Sequence, residues 1–154
     1  MFHLILYQPE IPPNTGNVIR LCANVGAALH LVAPLGFAMD EPRLRRAGLD
    51  YHELANVTVH ASLAECLAAA RPARVFVLTT RARRTLYDAR FEPQDAFLLG
   101  PETRGLPQDV LEQWPEDSWL RVPMRPGNRS LNLSNAAAVA LFEAWRQQGF
   151  AGAG

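Results

Sequence analysis

The stretch Arg121–Gln148, RVPMRPGNRSLNLSNAAAVALFEAWRQQ, decides the fold class. It continues an apolar strand end (Leu120, Val122), and Pro123 stops the strand. A polar loop then runs from Met124 to Leu133, carrying Gly127, Asn128, Arg129, Ser130 and Asn132. From Ser134 the pattern is helical, with Ala138, Leu141, Phe142 and Trp145 as the expected core stripe. Ser134 or Asn135 is placed to accept the first free N–H groups, and Gly149 stands where a left-handed cap is wanted. In α/β proteins, strand, polar loop and capped helix bind ligands, because loop amides and the positive helix end converge there. Capping alone needs one or two polar side chains, and this loop has far more, so the stretch reads as a site. Ala136, Ala140 and Ala144 form a second line four residues apart, which predicts close approach of another helix, from this chain or from a second subunit.

Outward from there, strand and helix patterns alternate. Apolar or β-branched runs at Phe2–Tyr7, Ala28–Ala33, Asn56–Val59, Arg74–Thr79, Asp95–Leu99 and Trp119–Val122 read as strands. Helices are expected from an Asn14 cap to Val25 with Gly26 as stop, around Pro42–Ala47, from a Ser62 cap through Leu63–Ala70, and from Pro107. The fold class is therefore α/β with a mainly parallel sheet and helices on both faces. No linker or repeat interrupts residues 1–150, which read as one domain, with 151–154 as a loose tail.

The 154 residues carry a formal charge of zero, so bulk charge announces neither nucleic acid nor membrane. All fifteen basic residues are Arg, however, and they cluster: Arg43, Arg45 and Arg46; Arg81, Arg83 and Arg84; Arg121, Arg125 and Arg129. Guanidinium forks match phosphate oxygens, and three clusters point to a phosphate-rich partner. On the first long helix Asn17, Arg20 and Asn24 share a face that has no acid beside it, which suits phosphate or ribose better than plain solvation. Cys22 and Cys66 read as small buried side chains, and His3, His30, His52 and His60 stand singly in the sequence, so no metal is expected. Met1 leads straight into a strand and no apolar run is long enough to cross a bilayer, so a cytoplasmic location is expected.

Ligands of a parallel sheet gather beyond the carboxyl ends of its strands, which selects the loops Thr79–Arg84, Gly100–Gly105 and Met124–Leu133. Glu102 is their only carboxylate. GxGxxG, the P-loop and the Gly-x-Ser-x-Gly elbow are all absent, which disfavours a Rossmann dinucleotide site, an NTPase and a serine hydrolase. Backbone groups, Asn, Ser and Arg remain, a set suited to a reaction in which positioning does most of the work.

Three blocks together, PEIPPNTGNVIRLCAN (9–24), LLGPETRGLP (98–107) and residues 121–148, resemble the SPOUT, or α/β-knot, RNA methyltransferases. PLGFAMDEPRLRRAGLDYHEL (34–54) extends the likeness over nearly the whole chain, toward the subfamily that methylates the ribose 2′-OH of the wobble cytidine or uridine of tRNA. The resemblance implies a C-terminal trefoil knot, a homodimer, tRNA as partner and S-adenosylmethionine as methyl donor. It implies cofactor contacts at Leu78, Thr79, Gly100, Glu102, Gly105, Val122, Met124, Ser130 and Leu133. It implies catalytic roles for Arg20, Asn14, Ser130 and Asn135, with Asn14 and Arg20 reaching the partner subunit's cofactor, and RNA contacts at Asn17, Arg43, Arg45, Arg46 and Arg129. Related proteins often have Tyr where this chain has Phe142. The Arg matching Arg20 is proposed as general base in related enzymes, yet guanidinium groups stay protonated in proteins, so an orienting role is at least as plausible. Other readings remain open: a non-catalytic RNA-binding module of this fold, a 2′-O-methyltransferase acting elsewhere on tRNA or rRNA, and a flavodoxin-like small-molecule protein.

Overall fold

The computed structural model describes residues 1–46 and 48–154, with the side chains of Glu41, Leu44, Arg45 and Tyr51 left out; the expected RNA contact at Arg45 and the helix end at Ala47 therefore lie outside the described residues. Seven strands form one sheet: β1 (His3–Tyr7), β2 (Ala28–Val32), β3 (Val57–His60), β4 (Val75–Leu78), β5 (Arg84–Thr85), β6 (Ala96–Leu99) and β7 (Trp119–Arg121). Their order is β3-β2-β1-β6-β4-β7-β5, and every pairing is parallel. Four central strands (β1, β2, β4 and β6) are apolar nearly throughout, as expected of strands covered on both faces.

Side-chain alternation splits the core in two. Leu4, Leu6, Leu29, Leu31, Phe97 and Leu99 face one way, onto α1 (Pro12–Val25) and α6 (Leu133–Gln147). Ile5, Val32, Val77 and Leu98 face the other way, onto α4 (Leu63–Ala70) and α5 (Gln108–Leu111). Two short helices, α2 (Glu41–Arg46) and α3 (Tyr51–Leu54), lie between β2 and β3.

Three expectations about helices are corrected. The first helix begins at Pro12 rather than at an Asn14 cap: Pro occupies the first turn, where its missing N–H costs nothing, and Asn14 is buried one turn in. The cap of α6 is Asn132, not Ser134 or Asn135; its Oδ1 accepts both of their N–H groups, at 2.9 and 3.3 Å. The core face of α6 is Ala137, Ala140, Leu141 and Ala144, packed on α1, while Phe142 is 44% exposed. Small residues win this face because they let the two helices close up, and the bulky Phe142 packs on Trp145, which in turn packs on Phe150. Ala140 and Ala144 are thus consumed inside the chain. β5 falls in a stretch that reads as loop from sequence, and only its pairing with β7 makes it a strand.

Candidate active site

A cleft of about 710 Å³ opens beyond the carboxyl ends of β4, β6 and β7, within the size range of small-molecule sites. Its wall holds Leu78 and Thr79 from the end of β4, and Gly100, Glu102 and Gly105 from the loop after β6. Val122, Met124 and Ser130 come from the segment between β7 and α6, Leu133 from the first turn of α6, and Asn14 from α1. Arg81, Arg104, Arg121 and Arg129 stand at its rim, all exposed.

The loop after β6 is shaped by two glycines. Gly105 has φ +66°, in the left-handed region, and its N–H closes the turn onto the Pro101 carbonyl at 2.9 Å. A Cβ on Gly100 would lie 2.4 Å from Leu106 N and 2.6 Å from Gly105 C, so the loop folds back against its own first residue. Bulk at position 100 would therefore strike this loop's backbone before it reached any ligand.

Glu102 reaches from this loop to the start of α1, where the chain supplies no side-chain cap of its own. Its Oε1 accepts the Glu10 N–H at 2.9 Å, and its Oε2 accepts the Ile11 N–H at 2.7 Å and the Asn14 amide at 3.3 Å. A carboxylate here meets free backbone donors and the positive helix end together. The return contact runs from Thr103, whose N–H and hydroxyl both donate to Glu10 Oε1, at 3.0 and 2.7 Å. Those two bonds, the hydroxyl first, hold the Glu10 carboxyl below its ordinary range, and the Arg104 charge adds to them. Asn14 then bridges onward, its Oδ1 accepting from Asn132 Nδ2 at 3.0 Å. One polar chain, Glu102–Asn14–Asn132–Ser134, ties the loop after β6 to the points where α1 and α6 begin.

Other expected site residues sit elsewhere. Arg20 is absent from the wall of its own chain's cleft; its Nε donates to Glu53 and its Nη2 to the Gly48 carbonyl, both at 2.8 Å. Asn135 is exposed on the first turn of α6 but is not part of the cleft wall. Asn17 is exposed on α1; Arg43 pairs with Asp40 at 3.2 Å, and Arg46 Nε donates to the Pro42 carbonyl. Sequence reading missed the Glu102–α1 bridge. The one legible hint was an α1 with no acid in its first turn, which left its donors to be satisfied from outside.

Three of the four histidines do not stand singly in space. His3 Nδ1 and His30 Nε2 are 3.1 Å apart, His30 Nδ1 and His60 Nε2 are 2.9 Å apart, and His3 Nε2 lies 2.8 Å from Gln94 Oε1. This buried ladder crosses β1, β2 and β3 on the α4 side. Burial, with help from the two neighbouring rings, pulls His30 down to about 4. Burial pushes the Cys22 thiol up to about 12 and the Cys66 thiol up to about 11, which favours the protonated form of both.

The arrangement defines a parallel α/β domain with a cleft of small-molecule size among its strand-end loops. Solved structures that share it include methyltransferases. The SpoU methyltransferase AviRb from Streptomyces viridochromogenes, in complex with AdoMet, is similar with a TM-score of 0.79 and 25% identity, over 95% of this chain and 57% of that one. A structure concerned with the 2-OH methylation of C/U34 on tRNA has a TM-score of 0.88 and 50% identity, over 97% of both chains. The chain belongs to the SpoU rRNA Methylase family, whose profile matches residues 1–142. Its relative in Burkholderia ambifaria, a tRNA (cytidine(34)-2'-O)-methyltransferase, is 60% identical over 99% of each sequence.

Proposed function

We propose that this chain is an enzyme that transfers a methyl group from S-adenosylmethionine to the ribose 2′-OH of the wobble nucleotide of tRNA, the position named in its relatives as cytidine 34. One observation carries the reading: three blocks far apart in sequence, around Asn14, Gly100–Gly105 and Val122–Leu133, converge on a single cleft.

The cleft suits the cofactor in size and in lining. Leu78, Val122 and Leu133 offer apolar surface for a flat base, and Thr79 and Ser130 offer hydroxyls. When bound, S-adenosylmethionine supplies an electrophilic methyl carbon for in-line displacement. The chain's own role is placement. The glycine-shaped loop 100–105 forms one wall, and Glu102 holds that wall against α1. The rim guanidiniums of Arg81, Arg104, Arg121 and Arg129 meet phosphates, and among cleft residues their only opposing carboxylate, Glu102, is already engaged by the α1 donors. Ser130 and Asn14 stand where an incoming ribose hydroxyl could be held. Arg20 acts across a homodimer, releasing Glu53 to grip a phosphate and orient the hydroxyl in the partner's cleft. The exposed Phe142 and Phe150 supply apolar surface for that dimer.

The same reading includes the knot. Leu78 of β4 and Arg84 of β5 both register with Leu120 of β7, so the short link 79–83 joins the two neighbours of β7, which suits a chain threaded beneath it after Val122. No described helix is long and apolar enough to cross a membrane, and a tRNA substrate fits a cytoplasmic location.

The test is methyl transfer by the purified chain to tRNA, with nucleoside mapping of the product. A single ribose methyl at the wobble nucleotide is expected, and 2′-deoxy substitution there should abolish it. A methyl on a base, on another tRNA position or on rRNA would refute the substrate assignment. RNA binding with no affinity for S-adenosylmethionine would leave only a binding module.

A further inference from the structure

The histidine ladder lies on the β3 side of the sheet, outside the cleft, and the proposed reaction makes no use of it. Cys66 of α4 joins it: one ligand atom from each of His30, His60 and Cys66 lies within 4.8 Å of the other two, and all three residues are buried. We propose that these three side chains form a binding site for one divalent ion of borderline softness, Zn²⁺ or Co²⁺.

Geometry supports this first. Tetrahedral bonds of about 2.3 Å to sulfur and about 2.0–2.1 Å to nitrogen put ligand atoms roughly 3.3–3.6 Å apart. The His30 Nδ1–His60 Nε2 separation of 2.9 Å must open slightly, and gaps of up to 4.8 Å must close. Both adjustments are of the order of 1 Å, within reach of side-chain rotation.

The hydrogen-bond series supports it second. Gln94 Oε1 accepts from His3 Nε2, which leaves His3 Nδ1 as an acceptor for the His30 Nε2–H. His30 therefore presents an unprotonated Nδ1 toward His60, where the ion would sit. Its far nitrogen is already oriented through His3 and Gln94, as the outer partners of a metal-bound imidazole usually are. One thiolate with two imidazoles selects zinc-like ions over Mg²⁺ or Ca²⁺, which prefer all-oxygen ligands.

Proton balance is simple. The Cys66 thiol loses its proton to solvent as the sulfur–metal bond forms. The His60 proton moves from Nε2 to Nδ1, freeing Nε2 to bind. One proton is released per ion bound.

The test uses the tag-free full chain, stripped with chelator and titrated with Co²⁺. Saturation at one ion per chain, thiolate-to-cobalt charge-transfer absorption and one proton released per ion are expected. Zn²⁺ should displace the Co²⁺, Mg²⁺ should not, and Zn²⁺ should raise the unfolding midpoint. Cys66→Ser and His60→Gln should each abolish the charge-transfer band. Cys22→Ser, on the opposite core, should keep it. A band that survives Cys66→Ser, or no saturable binding by the wild-type chain, overturns the proposal, and the wild-type titration decides even if a variant fails to fold.

Discussion

Replacing Glu102 separates a residue that builds the cleft from one that only touches what enters it. Its carboxylate takes two backbone N–H groups, at 2.9 and 2.7 Å, at the start of a helix that has no cap of its own. Hydrogen bonds to a charged group contribute about 1.5–3 kcal/mol each. The Ile11 N–H is open to water, so the lower figure applies, and Glu102→Ala should cost about 3 kcal/mol. At about 2–4 °C per kcal/mol for a domain of this size, the unfolding midpoint should fall by roughly 9 °C. Glu102→Gln keeps one acceptor oxygen and should lose about half as much. Thermal and urea unfolding of the ligand-free chain read both numbers, and an unchanged urea slope would confirm that the native fold is retained. Variants that match the wild type within about 2 °C, yet lose affinity for S-adenosylmethionine, would refute the reasoning and make Glu102 a ligand contact alone.

Gly100→Ala should cost about 3 kcal/mol and weaken cofactor binding, because its Cβ meets backbone atoms that cannot yield without opening the loop; calorimetry with S-adenosylmethionine checks this. Arg74→Ala leaves Asp95, a fully buried carboxylate held by Arg74 at 3.1 and 2.6 Å, without its charge partner and with the Glu92 N–H at 2.7 Å as its remaining donor, and should cost about 2–3 kcal/mol. Adding Asp95→Ala should recover some of that loss in urea unfolding. Stability should be full above about pH 6.5 and decline toward about pH 4, because in that window the unfolded chain protonates a histidine that the folded chain holds neutral at position 30. The decline should total about 2–3 kcal/mol, and His30→Phe should flatten it in urea midpoints taken across that range. Arg20→Ala breaks an exposed ion pair and should leave stability within about 1 kcal/mol, while methyl transfer falls by about a hundredfold or more in a tRNA assay.

The parallel sheet was legible because β1, β2, β4 and β6 are apolar runs of strand length set between helical patterns. β5 was not, because Arg84 and Thr85 carry no strand signature and owe their conformation to β7. The face of α6 misled for a physical reason: bulk hydrophobicity points to Phe142 and Trp145, whereas close helix packing selects Ala137, Ala140 and Ala144. A charge at Ala140 would consequently break the core rather than pull subunits apart; Phe142→Glu is the change that probes association. Within the site, the residues that motif resemblance named for the cofactor lie along the cleft wall, since the loops that carry them are contiguous in sequence, whereas Arg20 and Asn135, named for catalysis, lie off it. The Glu102–α1 bridge and the histidine ladder joined residues from separate elements, and only strand order and register bring such pairs together.

The position of β7 bears on how the molecule is made. A ribosome releases β4, β5 and β6 well before Trp119, yet β5 has no other partner in the sheet and β4 lacks a neighbour on one side until β7 arrives. A nascent chain stopped short of that point carries an unzipped edge through the middle of its future sheet, open to pairing with another unfinished copy. Completion of the last third is thus a gate on the whole molecule, and shortened products belong to the proteases rather than to a half-working enzyme.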